Sequence, residues 1–203
     1  MNPPLLFIQG IAPTNGPFAQ LPRLKDNARF VRVYDLDAPL LQDVRAVLIP
    51  AHTDQRALRA KRELLQAHLD QGGTLLLNGH IAYPFLNELT HFVPLIERRM
   101  DDLRIRRLAP HPIFDGVDEA DLSFRRGVAG FYGRGHNPPP PGARPLNGIG
   151  TQAAPIDWLY ENAQGGRLLM HSGNDLWMHA ADPTSARRIA PQLLEWLLAG
   201  EPA

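Results

Sequence analysis

The chain has 203 residues, longer than the commonest domain but within the range of one α/β unit with a single core. Lys plus Arg and Asp plus Glu each number 21, so no basic excess marks a nucleic-acid or anionic-membrane binder. That balance leaves small molecules or protein surfaces as expected partners, and the absence of cysteine excludes disulfides, thiolate metal sites and a cysteine nucleophile.

Met1-Asn2-Pro3-Pro4 leads into Leu5-Leu6-Phe7-Ile8 without a basic leader or long apolar region, and no apolar run is long enough to span a bilayer. The expected location is the cytoplasm. Leu5 to Ile8, closed by Gly10, reads as a strand buried on both faces. Pro13 to Pro17 is a loop by its turn chemistry, and Phe18 to Asn27 a short, Pro-interrupted helix. Phe30 to Tyr34 and Ala46 to Pro50 follow as strands. Thr53 or Asp54 caps a helix over 55–71, with Leu58, Leu65 and Leu69 on one stripe and Gly72-Gly73 as its stop. Thr74 to Leu77 is the next strand, so strand, helix and strand form a right-handed parallel crossover.

Beyond Pro84 the periodicity weakens. Phe85 to Leu89 suits a short helix, Leu103 to Leu108 alternates like a half-exposed strand, and Pro138 to Pro141 is a stiff polyproline piece. About 85–150 is therefore expected to form an inserted lobe of loops and antiparallel pieces. Arg167 to Met170 is the last core strand. Thr184 to Ala199 is the closing helix, kinked at Pro191 and ended by Gly200. The expected fold class is α/β and flavodoxin-like, a mostly parallel sheet flanked by helices, in one domain over 1–203.

Ligands of such sheets bind outside the carboxyl ends of the strands. There the sequence places Ala51-His52-Thr53-Asp54, Asn78-Gly79-His80 and His171-Ser172-Gly173-Asn174-Asp175. Three strands each deliver a histidine to one edge. His80 and His171 are the candidate catalytic acid and base. His52, Asp54, Asn78, Asn174 and Asp175 are candidate ligand-binding residues, joined by Tyr132, Arg134 and His136 from the glycine-dense segment 127–137 if it folds over that edge. His52, His80, His136 and His171 could hold a divalent metal, zinc or manganese, although no cofactor is required and a shared metal-free pocket is the favoured form. Asp54 and Thr53 have a competing reading as helix caps. His111 to Val117 reads as a structural turn, and the arginines from Arg98 to Arg107, balanced by Asp101 and Asp102, as a solvated face.

Leu75 to His80, His111-Pro112-Ile113-Phe114-Asp115-Gly116-Val117 and Gly166 to His171 together resemble the class I glutamine amidotransferase-like fold, and within it the ThuA-like group associated with trehalose utilisation. The middle segment is similar to that group's His-Pro-Ile-x-x-Gly-Leu turn. The resemblance implies a nucleophile turn at Asn78-Gly79-His80 and a partnering histidine at His171, but no cysteine is present and Gly173 stands where the acid two positions later is expected. Glutamine hydrolysis is thereby excluded.

The resulting expectation is a His-lined pocket for a small polar, carbohydrate-derived ligand, with isomerase- or lyase-type acid–base chemistry if it is an enzyme. The rival is a non-catalytic amidotransferase-like assembly or regulatory subunit, with exposed Tyr132 and Trp177 anchoring a protein partner or a second copy. Convergence or scatter of the four histidines discriminates between them.

Overall fold

Runs that are apolar on both faces become interior parallel strands, because only a sheet covered on both sides buries them. In the computed structural model, which describes residues 3–9, 16–96 and 99–199, these are β1 (Leu5–Gln9), β3 (Ala46–Ile49), β4 (Thr74–Asn78) and β12 (Arg167–His171), with β2 (Ala28–Arg32) outside them. Gly10, positions 13–15, Glu97, Arg98 and Gly200, read from sequence as punctuation and charge, lie outside the described residues. The other strands are β5 (Val93–Pro94), β6 (Ile105–Arg107), β7 (Phe124–Arg125), β8 (Val128–Ala129), β9 (Gly135–His136), β10 (Arg144–Ile149) and β11 (Ala154–Glu161). Helices are α1 (Pro22–Asn27), α2 (Ala38–Leu41), α3 (Gln55–Ala60), α4 (Arg62–Asp70), α5 (Glu119–Ser123) and α6 (Ile189–Ala199).

Eight strands form one sheet in the order β2-β1-β3-β4-β12-β11-β10-β6. The first five are mutually parallel; β11, β10 and β6 then alternate in direction. The α/β, mostly parallel class expected from sequence is the one found. Strand alternation divides the core: Phe7, Leu48, Leu76 and Leu169 face α6 through Leu193 and Leu197, while Ile8, Val47, Leu77 and Met170 face α3 and α4 through Leu58, Leu65 and Leu69. Each such fully buried side chain contributes about 1.5–3 kcal/mol. At the β6 edge, Ile105 N–H donates to Ser123 Oγ at 2.8 Å and Arg107 N–H to Glu119 Oε1 at 2.6 Å, so α5 satisfies donors that would otherwise invite another strand.

Several local expectations are corrected. The helix over 55–71 is divided at Lys61 into α3 and α4. Phe85 to Leu89 forms no helix; Phe85, Leu86 and Leu89 are simply buried against the core. The segment 85–150 supplies β6 and β10 to the central sheet as well as loops, and β11, the longest strand, lies where no element was expected. A 3-10 turn at Ser185–Arg188 precedes α6, which places Pro191 in the first helical turn, where its missing N–H breaks no helix bond and no kink is needed.

Candidate functional site

Across four strands, one face of the sheet carries a polar row in direct register: His171 on β12, Asp157 on β11, Asn147 on β10 and Arg107 on β6. Residues directly opposite on one face are near enough to pair. His171 Nδ1 lies 2.5 Å from Asp157 Oδ1, and both residues are fully buried. Asp157 Oδ2 accepts from Tyr132 Oη at 2.6 Å and from Asn147 Nδ2 at 2.5 Å. Asp157 is thus an acid saturated with donors, as burial of a carboxylate demands. Burial, then the Asp157 charge, push the Tyr132 phenol well above its usual range, so it stays a donor. The Tyr132 ring meets His171 edge-on at 4.6 Å.

A second buried pair lies nearby. His179 Nδ1 is 2.8 Å from Asp182 Oδ2, and Arg125 clamps the same carboxylate at 2.7 and 2.9 Å. Burial lowers the His179 pKa, with Asp182 opposing it.

The turn after β4 is built around Gly79, whose φ of +105° is open to glycine and strained for other residues. A Cβ there would lie 2.8 Å from the Ala51 backbone. Gly79 N–H donates to His171 O at 2.9 Å, and Asn78 ties the turn down by donating to Ile49 O and accepting from Leu176 N–H. Asn137, fully buried, closes it from above: Nδ2 donates to Gly79 O and to Ser172 Oγ at 3.0 Å each, and Oδ1 accepts the Ile81 N–H at 3.0 Å. Its backbone adds a bond from its N–H to Ser172 Oγ and one from Trp158 Nε1 to its carbonyl.

The segment 127–137 does fold over the strand edge, with Gly133 bridging Gly173 and Asn174 Nδ2 donating to Phe131 O. The four histidines nevertheless do not share one pocket. His171 is sealed: its Nε2 has no partner, and a Cβ on Gly173 would lie 2.7 Å from it and 1.7 Å from Tyr132 O. His52 and His80 are exposed. His80 stacks on Phe92 at 3.7 Å and 13°, and its pKa is lowered by partial burial, then by the positive fields of His171 and His52. His136 lines a separate cleft of about 520 Å³ with Pro94, Leu95 and Ile149, and burial alone lowers its pKa. Among the described residues no group of three His, Asp or Glu side chains could hold a metal ion.

The remaining candidates are dispersed. Asp54 caps α3, accepting from the Arg56 and Ala57 N–H groups and from Tyr34 Oη, bonds that lower its pKa. Asp175 Oδ1 accepts the Ala51 N–H at 2.8 Å, and burial raises its pKa. Arg134 is exposed and reaches Gly130 O. Tyr132 and Trp177 are 1% and 6% exposed, so neither is the surface anchor expected; Val128 and Phe131 are the exposed apolar side chains of this segment, at 52% and 42%. The acid for His171, expected at position 173, is Asp157 on the neighbouring strand. Its signal was a lone Asp inside the apolar run Ile156 to Leu159, which demands a buried partner. Asn137 and Asn147 carried no comparable signal.

The fold built around this site has counterparts among solved structures. The chain is similar to a Thermoplasma acidophilum protein assigned as part of a GMP synthase, at 9% identity and TM-score 0.61, covering 96% of this chain and 94% of that one. It is also similar to the mmIFT52 N-terminal domain, at 16% identity and TM-score 0.60, covering 98% and 99%. No protein-family model matches the chain, and no curated protein matches its sequence. These likenesses define the class as an α/β fold. Among the described residues no helix is long and apolar enough to cross a membrane.

Proposed function

We propose that this chain is a non-catalytic amidotransferase-like domain, an assembly or regulatory subunit whose strand-end turn is closed by its own Asn137. The observation that carries this reading is the seating of the Asn137 carboxamide on Gly79 O, Ile81 N–H and Ser172 Oγ. A turn whose N–H groups would steady a developing oxyanion in a catalyst here binds an internal amide. Three further features support it. Gly79 offers no side chain as nucleophile, the His171–Asp157 pair is sealed under Gly173, and Val128 and Phe131 leave apolar surface on the covering segment. The names of the structural neighbours, one component of a synthase and one N-terminal domain, fit a part that works within something larger.

The test is an NMR titration of ¹⁵N-labelled protein with glutamine and a panel of monosaccharides. The Gly79 and Ile81 amides and the His171 ring are expected to stay unmoved. A saturable shift of Ile81, with release of the Asn137 side-chain amide, would overturn the reading.

A second reading is favoured by the rim. His52 and His80 are exposed, and Asp175, held by Ala51 N–H, lies in the fields of His52 and His171. These groups suit a small polar ligand, carbohydrate-derived if the ThuA-like resemblance of the His111 to Val117 turn extends to substrate. In the same titration this ligand shifts His52 and His80 alone.

A further inference from the structure

Between β6 and the start of β12 lie arginines that pair with no carboxylate among the described residues. Strand alternation sends Arg106 to solvent and turns Arg107 inward. The Arg107 guanidinium lies over the Phe114 ring at 4.5 Å and gives Nη2 to Val117 O at 3.3 Å, while Nη1 is buried without a partner. Arg167, 4% exposed, lies over Trp196 at 4.6 Å and gives Nε to Thr74 Oγ1, and its Nη1 is likewise buried and unpartnered. Ring stacking fixes both guanidinium planes.

His111 sits between them, 3% exposed, with ring centroids 5.3 Å from Trp196 and 6.4 Å from Phe114. Its Nδ1 accepts the Ile113 N–H, which leaves Nε2 as a donor in the neutral ring. Burial, then the charges of Arg144, Arg167 and Arg107, hold its pKa down at about 4. Arg144 gives Nη1 to Pro110 O at 3.4 Å. A cleft of about 270 Å³ opens here, lined by Arg107, Pro110, His111, Phe114, Asp115 and Gly116. Arg188 reaches its rim: a Cβ on Gly116 would lie 3.5 Å from Arg188 Nη1.

Among the described residues none of these four guanidinium groups is paired with a carboxylate. Of the neighbouring acids, Asp115 lines the cleft with an exposed side chain that makes no ion pair with these arginines, Glu119 accepts the Arg107 backbone N–H, and Glu161 and Asp157 act on Arg167 and His111 through their fields alone. Buried guanidinium N–H groups without acceptors are costly, and an anion is the group that satisfies several at once.

We propose that this cleft, lined by Arg107 and His111, with Arg144 and Arg188 against its rim residues Pro110 and Gly116 and Arg167 behind His111, binds a phosphate-type oxyanion, free or as a small monoester. The donors come from β6, from the start of β10 and from the residue before α6, so they approach from several directions. A tetrahedral oxyanion meets such donors, whereas a planar carboxylate suits a single fork. The cleft volume leaves room for a small organic group beside the anion.

The experiment is thermal denaturation and calorimetry of the full chain with inorganic phosphate, glycerol phosphate, acetate and chloride at equal ionic strength. Saturable stabilisation by phosphate or its monoester, absent with chloride, is expected, and the tighter of the two identifies the physiological form. Arg144→Gln and Arg188→Gln change exposed side chains, and each is expected to weaken binding about tenfold, the loss of one charge-assisted bond. Arg107→Gln should abolish binding if the variant folds; the two surface variants carry the test if it does not. Equal effects of phosphate, acetate and chloride, or unchanged affinity in the Arg144→Gln, Arg188→Gln double variant, would overturn the assignment.

Discussion

Replacing Asn137 by alanine removes one side chain that makes three bonds to two separate pieces of chain, the turn at 79–81 and Ser172. Gly79 O and Ile81 N–H lose their buried partner, and Ser172 Oγ loses one of two donors. A net hydrogen bond contributes about 1 kcal/mol, and buried groups left unsatisfied cost about as much again or more, so the loss should be about 3 kcal/mol even with partial rescue by water. Asn137→Asp is expected to be worse, because it turns an oxygen toward Gly79 O and buries a charge. Urea denaturation gives the assay, with an unchanged slope required before midpoints are compared. Hydrogen exchange adds a local readout, since the Ile81 amide should lose protection more than the amides of β1. A loss below about 1 kcal/mol would refute the claim that the carboxamide organises the turn.

Other expectations follow from the same interior. Asp157→Asn should destabilise the fold by about 3–5 kcal/mol, the cost of breaking a buried pair, and Tyr132→Phe by about 1–2 kcal/mol, both read by denaturant midpoints. Gly173→Ala should yield little folded protein by circular dichroism, because its Cβ would overlap Tyr132 O. The His111 pKa is near 4 in the fold and 6.5 when unfolded, so the unfolded chain binds more protons between those values. Stability should therefore fall by about 3 kcal/mol as pH drops from 6.5 to 4. His68 and His179, shifted the same way by burial, steepen this acid limb. His111→Asn, which keeps an acceptor for the Ile113 N–H, should flatten it in denaturation measured across that range.

The parallel half of the sheet was legible because β1, β3, β4 and β12 are unbroken apolar runs, which only a doubly covered strand explains. The antiparallel half was not, since Pro145 and Pro155 interrupt β10 and β11 and Asn147 and Asp157 sit inside them as polar residues. Those two residues are tolerated because the neighbouring strand supplies their partners, a fact of pairing that no local pattern expresses. His171 was placed correctly at a strand end, but its acid was sought two residues along the chain and lies directly across the ladder instead. Tyr132 and Trp177 looked exposed because they sit in irregular segments without periodicity; both are buried beneath that irregular backbone. Asp54 as a cap was legible from capping chemistry alone.

Whether the domain is non-catalytic is decided most sharply by a turnover assay on the purified chain, following ammonia release from glutamine and solvent-deuterium incorporation into a panel of sugars and hydroxy-carbonyl compounds. No turnover above buffer is expected, with wild type and His171→Asn indistinguishable. Turnover that is present in the wild type and lost in a folded His171→Asn variant would contradict the non-catalytic reading.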